Sequence, residues 1–87
     1  MATAYQVYVL INPHGRYYTG VSENVAVRLG QHNAGESKWT ATYRPWTLAW
    51  ASVPLALSQA RKFENLLKRQ KGGDGFYRLT GLSRSGS

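Results

Sequence analysis

Two short runs rich in β-branched and aromatic residues, YQVYVLI at 5–11 and YYTGVS at 17–22, flank the turn-forming stretch Asn12-Pro13-His14-Gly15. Whatever else this chain does, it begins with a β-hairpin. Side chains alternate across a strand, so Tyr5, Val7, Val9 and Ile11 form one apolar row and Tyr17, Thr19 and Val21 another, and the two rows should share a face. The register expected from this pattern sets Val9 opposite Tyr17 and Val7 opposite Thr19. Tyr8 then lies directly opposite Tyr18 on the other face, across a three- or five-residue loop; a four-residue loop would separate the two tyrosines.

From Val25 the period becomes helical, with Val25, Ala26 and Leu29 on one side, a cap at Ser22 or Asn24, and Gly35 as the stop. Arg28 and His32 stand one turn apart on this helix. Residues 36–46 read as a loop and 47–53 as a third strand ended by Pro54. A second, heavily basic helix is expected from an N-cap at Ser58 to Lys71, with Ala60, Phe63, Leu66 and Leu67 inward, before Gly72-Gly73 break it. Residues 74–82 supply a short turn of helix packing Phe76 and Leu79 onto the body. The reading is an α/β (α+β) fold in the order β-β-α-β-α with a short final helix: one domain over 1–82 and a flexible tail at 83–87.

Apolar residues make up 43% of the chain, enough to fold despite a net charge of +7. With no cysteine, disulfides, thiolate metal sites and a cysteine nucleophile are all excluded. The absence of a long apolar run and of a leader pattern points to a cytoplasmic, nucleoid-associated protein that does not enter membranes. Eleven Lys and Arg face only Glu23, Glu36, Glu64 and Asp74, a balance suited to a nucleic-acid partner, although excess charge also serves solubility.

Glu64 is the lone acid among Arg61, Lys62, Lys68, Arg69 and Lys71. It could simply pair with Lys68 one turn on, or it could hold a hard divalent cation against a phosphate oxygen. Arg28 is either a solvated helix residue or a bidentate phosphate ligand. His32 is either a packed side chain or a proton relay. Tyr8 and Tyr18 suit a sheet, yet a phenol beside a cation could also activate a water.

Taken in order, these residues resemble the GIY-YIG nuclease family. Gln6-Val7-Tyr8 stands for the first triplet, Tyr18-Thr19-Gly20 for the second with Gly20 as its small residue, Arg28 and His32 for the arginine and histidine of the following helix, and Glu64 for the metal-binding glutamate. The likeness runs over roughly residues 5–71. Only the tyrosine of the first triplet is kept, and Val21 and Ser22 occupy the place where several relatives carry a lysine, which favours the version of the mechanism that uses histidine.

The resemblance implies metal-dependent DNA endonuclease activity with Mg²⁺ (or Mn²⁺). Tyr8 would act as general base with help from His32, Tyr18 would position water or phosphate, Arg28 would stabilise the transition state, and Glu64 would hold the metal; the two tyrosines remain alternatives for the base. DNA contacts are expected from Lys38, Arg44, Arg61, Lys68 and Lys71, with Trp39 or Trp46 free to stack on an unpaired base; Trp46 and Trp50 could equally be core aromatics, a reading that suits Trp50 better. No recognition domain is apparent, so branched, flapped or damaged DNA, or a targeting protein partner, would select the site. The rival readings are a non-catalytic nucleic-acid-binding module on the same scaffold and, more distantly, an RNA-associated basic domain.

Overall fold

The computed structural model describes residues 3–70 and 73–82; Lys71, Gly72 and the tail at 83–87 lie outside them. Strands β1 (Gln6–Ile11), β2 (Tyr17–Ser22) and β3 (Thr47–Ala51) form an antiparallel sheet in the order β2-β1-β3, interleaved with helices α1 (Val25–Asn33), α2 (Lys38–Thr42), α3 (Leu57–Arg69) and α4 (Asp74–Thr80). The sequence order is the expected one with a short helix added. β1 is central and covered on both faces, which is why Val7, Tyr8, Val9 and Leu10 form an unbroken buried run.

The hairpin register differs from the expected one. Val9 lies opposite Thr19, Ile11 opposite Tyr17 and Tyr8 opposite Gly20, a slide of two residues. The turn explains it. Asn12 N donates to Arg16 O (3.1 Å), Gly15 N donates to Asn12 O (3.0 Å), and Asn12 Oδ1 accepts from the backbone N–H of His14 and Arg16. With Gly15 at φ +79°, the chain closes over residues 13–15, one position later than a loop at 12–14 would. A two-residue slide preserves the faces, so Tyr8 and Tyr18 still share one, their ring centroids 6.2 Å apart on a diagonal.

One face of the sheet packs Val7 and Val9 against Ala60, Leu67 and Phe76 from α3 and α4. The other packs Tyr8 and Leu10 against Val25 of α1 and Trp46. Asn24 caps α1, its side chain accepting from Val27 N, and Gly35 at φ +84° follows its end. Three helical expectations change. Ala26 faces solvent while Val25 and Leu29 turn inward; Ser58 sits inside α3, whose N-cap is Ala56; and Leu79 is 36% exposed while Phe76 carries the packing of α4. Residues 36–46, expected as a loop, contain α2.

Candidate active site

Successive residues of an inward helix face recur at three and four positions, so burying Val25 and Leu29 also turns Arg28 and His32 toward the sheet. His32 is fully buried. Its Nε2 lies 2.9 Å from Tyr8 Oη and its Nδ1 2.8 Å from Thr40 Oγ1. The Thr40 hydroxyl donates its single proton to Ser37 O (3.3 Å), so its oxygen accepts from His32 Nδ1–H. That tautomer leaves the lone pair of Nε2 to accept from the Tyr8 hydroxyl. Burial, reinforced by the charge of Arg28, lowers the His32 pKa and keeps the ring neutral at pH 7.

Tyr8 needs Gly20. A Cβ at position 20 would stand 2.5 Å from Tyr8 Oη and 2.6 Å from Cζ, so only a bare backbone lets the phenol lie across β2. The Tyr8 pKa is pushed up to about 12, chiefly by burial, with Tyr18 and Glu64 adding to the rise and Arg28 opposing it through its charge and a hydrogen bond. For the chain alone this is the reverse of the activated phenol that the sequence suggested.

At the outer edge of β2 opens a cavity of about 280 Å³ whose walls include Tyr8, Tyr18, Gly20, Arg28, Arg61 and Glu64. Four of the five residues singled out in sequence therefore face one space. His32 stands behind Tyr8 and reaches that space only through the phenol. The Glu64 side chain is 17% exposed, its Oε2 3.0 Å from Lys68 Nζ, so the helix pair and the place on the cavity wall coexist. Among the described residues no three His, Cys, Asp or Glu gather as a metal cage. One carboxylate on an open, Arg-lined cavity suits a hard cation that keeps its waters and takes phosphate oxygens, as Mg²⁺ does.

Of the expected DNA contacts, Lys38, Arg44, Arg61 and Lys68 are exposed and Arg61 borders the cavity, while Lys71 falls outside the described residues. The tryptophans separate sharply. Trp39 is 46% exposed, whereas Trp46 is 2% exposed with its Nε1 donating to Thr40 O (2.8 Å), so Trp46 is a core residue and not a stacking platform. Trp50, partly buried, stacks on the partly buried Phe63 against the apolar core. One further residue left no signal in the sequence, and a second stood beside the motif without an assigned role. Thr40, which holds His32, lay in a segment without periodicity. Asn33 exchanges hydrogen bonds with the Trp46 backbone, Oδ1 accepting from N (2.7 Å) and Nδ2 donating to O (2.9 Å), which fastens the end of α1 to the start of β3; its position next to His32 was the one available hint.

Residues 4–76 match the family described as the GIY-YIG catalytic domain. A UPF0213 protein of Staphylococcus haemolyticus is 36% identical over 63 residues, covering 71% of this chain and 77% of that relative. No solved structure matches the chain.

Proposed function

The chain belongs to the GIY-YIG family, a family of nucleases, and from that premise we propose that it is a metal-dependent DNA endonuclease that selects substrates by structure, in DNA repair, recombination or processing. One observation carries the reading: Tyr8, Tyr18, Arg28 and Glu64 line a single cavity, with His32 hydrogen-bonded behind Tyr8. Family members generally require a divalent metal. Held by the Glu64 carboxylate with waters completing its shell, Mg²⁺ or Mn²⁺ would supply Lewis-acid support for the departing oxygen.

The residues of the chain divide the remaining work. Arg28 binds the scissile phosphate and meets the charge that grows on its oxygens; Arg61 at the rim draws the backbone in. Tyr8 acts as a relay rather than a standing phenolate: as water attacks phosphorus, its proton passes to Tyr8 Oη while the Tyr8 proton passes to His32 Nε2. A phenol whose pKa lies near 12 needs no free phenolate on this route. Tyr18 orients the water or a phosphate oxygen. The exposed Lys38, Arg44 and Lys68 extend the contact with DNA, and a targeting protein could choose among branched, flapped or damaged sites.

The test is nicking of supercoiled plasmid in Mg²⁺, Mn²⁺ or EDTA by the wild type, Glu64→Ala, Tyr8→Phe and Tyr18→Phe. Cutting should need the metal and fall at least on the order of 10²-fold in Glu64→Ala and Tyr8→Phe. Wild-type activity in Tyr8→Phe would remove the relay, and DNA binding without cutting by any form would make the chain an adaptor.

A further inference from the structure

Beside the catalytic cavity lies a larger one, of about 490 Å³, walled by Tyr17, Tyr18, Thr19, Trp39, Lys68 and Phe76 among others. The two spaces adjoin. Tyr18 lines both, and the Glu64–Lys68 pair places one partner on each. Trp39 offers an exposed indole that is nonetheless held in place: its centroid is 4.8 Å from Tyr43, 5.9 Å from Trp46 in a stacked arrangement, and 6.1 Å from Tyr18. Such a platform loses little side-chain freedom when something lies on it.

β2 is an edge strand, and the Asn12–Arg16 bond that closes the hairpin fixes which residues pair inward. By alternation Tyr18 and Gly20 bond to β1, so the main-chain N–H and C=O groups of Tyr17 and Thr19 turn toward the free edge, where this cavity opens. Flat aromatic walls, unpaired main-chain donors and acceptors, and an ammonium group thus meet in one place. A nucleobase has the matching parts: two π-faces, an edge of donors and acceptors, and a phosphate on either side. An aliphatic ligand would leave the main-chain groups unmet.

We infer that this cavity takes one unstacked nucleobase of the strand whose scissile phosphate sits at Arg28 and Glu64, with Trp39 and Tyr18 as the stacking surface. The inference rests on the nuclease reading of the adjoining cavity and names its substrate: DNA with an unpaired or extrudable base next to the cut.

Binding in EDTA separates the two ideas, because it requires neither metal nor cleavage. Fluorescence anisotropy would compare two labelled duplexes that differ only in a one-nucleotide bulge, which carries a base in one and an abasic sugar in the other. The wild-type chain should bind the base-bearing bulge on the order of tenfold more tightly. Trp39→Ala should erase that ratio and Trp39→Phe keep most of it. Equal affinity of the wild type for both duplexes overturns the inference even if the plasmid is nicked, as does Trp39→Ala weakening both alike; a clear base preference upholds the pocket whether or not Mg²⁺ brings cutting. Should Trp39→Ala fail to fold, the comparison on the unaltered chain still decides.

Discussion

The two faces of the sheet are built on different physics. Against α3 and α4 the sheet packs Val7 and Val9 on Ala60, Leu67 and Phe76, all apolar, and the buried Thr80 hydroxyl of α4 is satisfied within its own helix by Phe76 O (2.9 Å). Against α1 and α2 the sheet buries Tyr8, His32, Thr40 and Trp46, each tied to a neighbour by a hydrogen bond; among the described residues no buried side-chain nitrogen or oxygen lacks a partner. Apolar contact is non-directional and scales with area, so the first face can hold the chain without fixing any one group. Directional bonds hold particular atoms in place, and the second face holds the Tyr8 hydroxyl.

The sharpest separation is expected from Leu67→Ala, which empties a site only 1% exposed and should cost about 2–5 kcal/mol in urea unfolding. A cost near zero would mean that area does not stabilise that face. Gly20→Ala is the counterpart on the other side. Its Cβ would collide with a phenol that His32 holds fixed, and overpacking of this kind costs about 1–3 kcal/mol. Its effect on nicking per folded molecule should be disproportionate, since Tyr8 must leave both the cavity and His32 Nε2. If Gly20→Ala loses stability but cuts normally, the polar face does not position the chemistry.

The same contrast decides what the sequence could reveal. The hairpin, both long helices and the third strand were legible because burying one side of a strand or helix leaves a period in the sequence. The register was not, because it depends on where Asn12 and Gly15 close the turn, and a slide of two residues keeps every side chain on its face. A five-residue helix has too few turns to show a period, so α2 was missed, and with it Thr40, which matters only because folding brings it to His32. Glu64 was conspicuous as the one acid among cations. The roles of Trp39 and Trp46 could not be divided from composition, since both stand in the same aromatic stretch and only the packing separates the exposed ring from the buried one.

Acid acts on the buried polar face through His32. Burial and Arg28 hold the folded-state pKa of His32 below its ordinary 6.5, so the unfolded chain binds a proton more readily than the folded one. The stability contributed by neutral His32 is complete above pH 6.5 and is lost as the pH falls below that value through the depressed folded pKa. Urea midpoints measured from pH 7.5 to 5 should fall, and His32→Gln should flatten the slope. Tyr8 carries the opposite sign: its pKa is raised from 10.0 to about 12, so its contribution is whole below pH 10 and is lost as the pH climbs through 12. An unchanged acid slope in His32→Gln would place the titration elsewhere in the chain.

The smallest effect is expected on α3, the basic helix whose inward side packs the apolar face and whose Glu64 lines the smaller cavity. Glu64 reaches the cavity it shares with Tyr8, Tyr18 and Arg28 from α3, and its partner Lys68, 3.0 Å away and 53% exposed, would have to give way to any cation that the carboxylate held. An exposed pair at this spacing is worth about 0.3–0.5 kcal/mol. Lys68→Met should therefore lower the Mg²⁺ concentration for half-maximal nicking only about twofold, read at saturating DNA so that the lost phosphate contact does not enter. A tenfold or larger shift would mean that Lys68 guards Glu64 far more strongly than a solvated helix pair can, and that α3 takes part in setting the metal requirement rather than only carrying the carboxylate to the sheet edge.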